Sequence, residues 1–186
     1  MLLRSSLLAA AASLGVLFAP QDPKPAPATT PASAPVAAAA DVASVEALLG
    51  ALYASISGAA GEKRDWNRVR SLFHPDARLV PMAKGAKGMQ PRVLTIEDYV
   101  QRAGPMLERD GFFEQEIARR VETFGDFAHA WSTYESRRAR SDEKPFLRGI
   151  NSIQCVRQDG RWYVLHILWE QETDAGPIPA QYLPAK

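Results

Sequence analysis

Asp159-Gly160 sits between two long apolar runs, Phe146–Arg157 and Arg161–Glu172, and it limits the fold more than any other stretch. Asp and Gly tolerate the positive φ angles that a two-residue turn between antiparallel strands demands. A third run, Phe127–Arg138, comes just before, separated by the charged, Pro-ended segment Ala139–Pro145. All three runs are rich in Val, Ile, Phe, Tyr and Trp, so they predict three consecutive antiparallel strands. A meander of that size must bury one face against another layer.

The residues upstream supply that layer. Asp41 is placed to cap a helix over 41–57, whose Val42, Val45, Leu49, Leu52 and Ile56 recur at helical spacing. A second helix starts after Asp65, with Trp66, Val69, Leu72 and Phe73 on one face, and closes at His74-Pro75. Asp76–Val80 reads as a short strand stopped by Pro81, and Pro81–Val93 as a basic loop. Thr95 and Asp98 have capping-box spacing for a third helix, which Gly104-Pro105 is expected to kink or end early. A long strand follows over Phe112–Thr123, with Phe113, Ile117 and Val121 on one face. Its charged set Glu114, Glu116, Arg119, Arg120 and Glu122 reads as a solvated or interface edge. The order predicts an α+β domain of about three N-terminal helices packed on a curved antiparallel sheet. A sheet wrapped round helices that do not fill it leaves an apolar pocket.

Charge and special residues exclude several functions. A net charge of +1 over 186 residues carries no bias toward nucleic acid or an anionic membrane surface. The single Cys155 excludes an intramolecular disulfide and a thiolate zinc site. His74, His129 and His166 show no metal-ligand spacing, so neither a metal nor a cofactor is expected. Met1–Ala19 has Arg4 ahead of the apolar Leu7–Phe18, the pattern of a secretory signal, which implies a secreted or periplasmic protein. An uncleaved N-terminal anchor is the alternative, although the run falls short of the roughly 20 residues of a membrane span. Residues 20–40 are almost wholly Pro, Ala, Thr and Ser and read as an extended tether. The folded domain is expected over 41–175, followed by a tail over 176–186.

Leu72-Phe73-His74-Pro75-Asp76-Ala77-Arg78-Leu79 is similar to the turn after the second helix in the NTF2-like, SnoaL-like superfamily. Gly160-Arg161-Trp162-Tyr163-Val164, opening the last strand, resembles the same family. The resemblance spans about Val42–Glu172 and implies a cone-shaped α+β fold. It says less about function, because this fold hosts isomerases, dehydratases, cyclases, ligand binders and dimerisation modules. Isomerase and cyclase members place a carboxylate base where Pro81 stands here. Members of the ketosteroid-isomerase type add a Tyr on the first helix, which Tyr53 matches, and an acid where Ser152 stands. Scytalone-dehydratase-like members use His and Asp, and His166 is the available histidine. Two of the three groups of the steroid-isomerase type are therefore missing.

Tyr53 and His166 remain as the acid–base candidates. Trp66, Tyr99, Trp131, Tyr134 and Trp169 are aromatic candidates for a pocket lining, against the plainer reading of core packing. Arg148 alternates with Phe146, Ile150 and Ser152 and is either a carboxylate clamp or the partner of Glu135 or another strand acid. Simple alternation puts Trp162, Val164, His166, Leu168 and Glu170 on one face of the last strand, with Tyr163, Leu165, Ile167, Trp169 and Gln171 opposite. Both faces are apolar, so helices on one and a second copy on the other predict a homodimer through the sheet. These readings favour an exported, non-catalytic module that binds a small apolar molecule. The alternative is a cofactor-free lyase or isomerase using Tyr53, His166 and Arg148.

Overall fold

The computed structural model describes residues 35–184. The expected signal and residues 20–34 of the expected tether lie outside the described residues. A 3-10 turn at Ala39–Val42 leads into α1, Val45–Ile56, followed by α2, Trp66–Ser71. Two strands follow, β1 at Phe73–Gly85 and β2 at Gly88–Pro91, and then α3 at Ile96–Asp110. The last four strands are β3, Phe113–Phe124; β4, Phe127–Arg137; β5, Leu147–Gln158; and β6, Arg161–Gln171.

All six strands form one sheet in the order β2-β1-β6-β5-β4-β3. The sheet is mixed, because β1 runs parallel to β6 while every other neighbouring pair is antiparallel. The expected wholly antiparallel sheet is corrected at that one junction. The β5–β6 turn is the predicted one, with φ of 52° at Asp159 and 77° at Gly160.

Local chemistry accounts for the element ends. Ser44, not Asp41, caps α1 by accepting from the Ala47 amide at 3.1 Å. The Asp41 carboxylate instead takes both arms of Arg68, at 2.8 and 3.0 Å, which holds its pKa below the usual range. Thr95 and Asp98 form the predicted capping box. α3 runs through Pro105 to Asp110 rather than stopping there. Gly104 belongs there because a Cβ would lie 3.0 Å from the Trp66 ring. β1 passes through Pro81, and the expected basic loop is a hairpin between β1 and β2.

Two one-residue bulges decide which side chains share a face. Ile117 has no partner on β4, since Glu116 pairs Tyr134 and Ala118 pairs Thr133. Leu165 is likewise skipped, since His166 pairs Gln154 and Val164 pairs Cys155. An extra residue reverses the alternation beyond it. Trp162 and Val164 therefore share a side with Ile167 and Trp169, not with His166 and Leu168.

One buried cluster unites side chains of all three helices with the sheet, including Leu48, Leu49 and Leu52 of α1, Val69 of α2, Leu107 of α3, and Ala130, Ile153 and Val164. Cys155 is part of it, and burial pushes its thiol up to about 12. Arg64 pins the chain between α1 and α2. It donates from Nε to the Ile56 carbonyl at 3.1 Å, from Nη1 to Glu62 at 2.6 Å, and from Nη2 to Gly58 at 2.6 Å and Leu107 at 3.2 Å. Trp66 braces α2 on α3 through its Nε1, which donates to Glu108 at 2.9 Å. Lys63, the Arg64 amide and Trp66 together hold the Glu108 carboxyl down to about 2.

Gly149 marks a crowded point of β5. A Cβ there would lie 2.4 Å from the Glu170 carbonyl oxygen and 2.6 Å from the Tyr134 hydroxyl. Gly149→Ala is therefore expected to cost about 2 kcal/mol, the scale of overpacking. A denaturant titration checks this, and an unchanged midpoint would show that strand and tyrosine yield freely.

The C-terminal residues pack back on the domain. Ile178 is buried, and its amide donates to Glu172 at 2.9 Å. Tyr182 stacks on Trp131 with ring centroids 5.4 Å apart, and Thr133 Oγ1 donates to the Tyr182 carbonyl at 2.6 Å.

Candidate functional site

A cavity of about 220 Å³ lies between the helices and the core-facing side of the sheet. α1 contributes Leu52, Tyr53 and Ile56, and α3 contributes Tyr99, Ala103 and Leu107. The sheet contributes Glu114, Tyr134, Leu147, Asn151, Ile167 and Trp169. The stripe spacing on α1 and α3 puts these residues on one side of each helix. The bulge at Leu165 puts Ile167 and Trp169 on the cavity side of β6. Tyr99 meets Trp169 edge to face, with centroids 6.4 Å apart.

Space for the cavity comes from β4. Its core-facing residues Ala128, Ala130, Ser132 and Ser136 are small, with Tyr134 the large exception. Two acids of β3 project over this strip. Ser136 donates to Glu114 at 3.0 Å, and Ser132 donates to Glu116, which is also ion-paired with Arg119. Because Ser132 gives its proton to Glu116, it can only accept from Tyr53, whose hydroxyl lies 2.5 Å away. Asn151 Nδ2 in turn donates to the Tyr53 oxygen at 3.0 Å. The chain thus runs in one direction, Asn151 to Tyr53 to Ser132 to Glu116, and the Tyr53 proton points away from the cavity. Burial raises the pKa of Tyr53 further above the usual phenol range.

Glu114 differs from Glu116 in having no basic partner among the described residues. Loss of solvation pushes its carboxyl up to about 7, and the Ser136 hydrogen bond opposes this only in part. By accessible area Glu114 is only half-buried, but it borders both this cavity and a polar cleft of about 570 Å³. Its remaining exposure opens onto those two spaces. The group is a carboxyl able to hold or release a proton near neutrality, with the Tyr99 and Tyr134 rings beside it.

Of the sequence-predicted residues, Tyr53, Tyr99, Tyr134 and Trp169 meet at the cavity. Trp66 is the α2–α3 brace. Trp131, Arg148 and His166 lie on the opposite side of the sheet. His166 Nδ1 is 3.0 Å from Gln154 Oε1, Arg148 is ion-paired with Glu172 at 3.3 Å, and Glu135 pairs Arg137. Tyr53, His166 and Arg148 therefore do not converge, and a shared acid–base site built from them is corrected. His74 accepts from the Asp76 amide in its turn. Glu114, read from sequence as part of a solvated edge, is the residue that was missed. The signal lay on β4, where Ser132, Tyr134 and Ser136 leave room for an acid to turn inward. Among the described residues no group of three His, Cys, Asp or Glu side chains is placed to hold a metal ion.

Solved structures share this arrangement. An NTF2-like protein from Pseudomonas putida KT2440 matches with a TM-score of 0.53 and 14% identity, over 76% of this chain and 93% of that one. The fold is NTF2-like. A protein with a cystatin-like fold from Nostoc punctiforme matches this NTF2-like chain at TM-score 0.53 and 17% identity, over 70% of this chain and 90% of that one. A scytalone dehydratase-like protein from Novosphingobium aromaticivorans matches at TM-score 0.51 and 14% identity, over 69% and 82%. No family model matches the sequence, and neither does any curated protein. At these identities the likeness of the NTF2-like chain to its neighbours is one of fold.

Proposed function

We propose that this NTF2-like domain is a small-molecule-binding module, exported by its N-terminal signal, in which the helices close a cone over one face of the sheet. One observation carries the reading: a cavity of about 220 Å³, walled mainly by apolar and aromatic side chains, holds one carboxyl, Glu114, without a basic partner among the described residues. Such a cavity suits a molecule the size of a single ring with a short tail. Filling it tests the reading. Ala103 lines the cavity from α3, and Ala103→Trp is expected to abolish saturable binding of one-ring fragments, followed by ligand-observed NMR. Fragments that bind both chains equally would remove the cavity as their site. Trp131 and Leu168, exposed among the polar groups of the outer side of the sheet, also support a homodimer, and light scattering at a mass of one chain would rule that out. Part of that side is occupied by Tyr182 on Trp131.

A second reading rests on the raised pKa of Glu114. A carboxyl poised near 7 in an apolar wall suits a general base for cofactor-free isomerisation or elimination. The scytalone dehydratase-like neighbour is compatible with this chemistry. Deuterium exchange at carbon next to a carbonyl in one-ring ketones, lost in Glu114→Gln, would support it. Exchange at the uncatalysed rate would end it.

A further inference from the structure

We propose that the cavity selects a small organic amine, bound as its ammonium ion against Glu114 with its apolar body among the aromatic walls. The inference rests on the reading of the cavity as a ligand site and adds the class of ligand. Among the described residues no Lys, Arg or His lines the cavity, and Glu114 is the one carboxyl that does. The Glu114 oxygen bonded by Ser136 is Oε2, and no group among the described residues donates to Oε1. An ammonium brings donors for that oxygen, whereas a carboxylate ligand would bring a like charge into a poorly solvated space. The walls add Tyr53, Tyr99, Tyr134 and Trp169, whose ring faces attract cations.

The neighbouring charges leave Glu114 unopposed. Glu116, beside Glu114 on β3, is matched by Arg119. The polar cleft on the far side of Glu114 presents Glu116, Glu135 and Asp142 against Arg137 and Arg140. Arg137 is already held by Glu135 at 2.5 Å, and Arg140 lies over the Phe113 ring at 4.6 Å. Neither arginine reaches the cavity lining. With Glu116 matched by Arg119, the charges around the cleft balance, so the ionised Glu114 carboxylate is the net charge that an approaching cation meets on that side.

Binding of a cation must also move a proton. The empty site holds the Glu114 proton up to about pH 7, through burial. Tyr53, Tyr99 and Tyr134 face it from α1, α3 and β4 and stay protonated there, with pKa values raised by burial. An ammonium favours the ionised carboxyl, so at pH 6 binding releases the Glu114 proton to solvent.

Calorimetry on the full chain with 2-phenylethylamine, 2-phenylethanol and 3-phenylpropionate decides the question. At pH 8 the amine is expected to bind at least tenfold tighter than the alcohol, with the acid weakest. At pH 6 titrations in buffers of different ionisation heat should show proton release with the amine and none with the alcohol. Glu114→Gln should bring the amine down to the alcohol's affinity. The ranking on the unaltered chain stands even if that variant misfolds. Equal binding of amine and alcohol, or preference for the acid, overturns the amine class while leaving the cavity as a binding site. Failure of all three probes to bind overturns both.

Discussion

Arg64→Met is expected to lower the free energy of unfolding by about 4 kcal/mol, read as a fall in the urea midpoint at unchanged slope. The side chain is 7% exposed, and among the described residues no carboxylate holds its guanidinium. Its partners are main-chain carbonyls of Ile56, Gly58, Glu62 and Leu107. Ile56 ends α1 and Leu107 lies in the last turn of α3, where the helix dipole is negative. One cation thus satisfies the ends of α1 and α3 and the turn that follows α1. Removing it leaves several buried carbonyls without donors, each costing about 1 kcal/mol or more. Gly58 shares the dependence, since a Cβ there would lie 2.3 Å from Arg64 Nη1. Arg64→Lys keeps the charge but offers three donors on a compact head, so about half the loss is expected. An unchanged midpoint for Arg64→Met would show that water replaces the guanidinium.

Glu114→Gln is expected to stabilise the protein at pH 8, by about 2 to 3 kcal/mol, and to change nothing at pH 4. Glu114 holds its proton more tightly when folded, with the pKa raised from 4.5 to about 7. At pH 4 it is protonated in both states and carries no penalty. As pH rises from about 4.5 to about 7, the unfolded chain ionises first, so the folded state loses ground, and above about 7 the loss is constant. Gln mimics the neutral acid and does not titrate, so the difference between the two chains should grow across that window and then level off. The half-exposure of Glu114 keeps the effect below the full value of the shift. Urea midpoints measured from pH 4 to 8 on both proteins check the curve. Parallel curves would mean that Glu114 is well solvated and would weaken both functional readings.

The sequence made the succession of elements plain except for β2, read as a loop, and left the direction of their side chains open. Asp159-Gly160 sets the β5–β6 turn because few residue pairs accept positive φ twice. Thr95 and Asp98 mark the start of α3 by reciprocal bonds within four residues. Facing is a longer-range property. Ile117 and Leu165 look like ordinary β-branched and aliphatic strand residues, yet each is an extra residue that reverses the alternation after it. The pairing of β1 with β6 was equally hidden, because parallel neighbours leave no turn signal between them. Glu114 escaped for a related reason. Its charge suggests water, and only the small residues that face it across the sheet, on β4, reveal a space where it can face inward.

The parallel junction sets the order in which this sheet can be completed. β6 is the last strand to be synthesised and yet stands in the middle, between β1 and β5. Until it exists, β1 has only the short β2 for a sheet partner, and its pairing edge waits open while the rest of the chain is made. Leu79 finds Ile167 only across nearly the whole domain, so this closure carries the largest loop entropy in the sheet. The cavity wall that joins β1 to β6 is thus unavailable to a nascent chain. A truncation that removes β6 divides the sheet into two unequal pieces instead of trimming its edge.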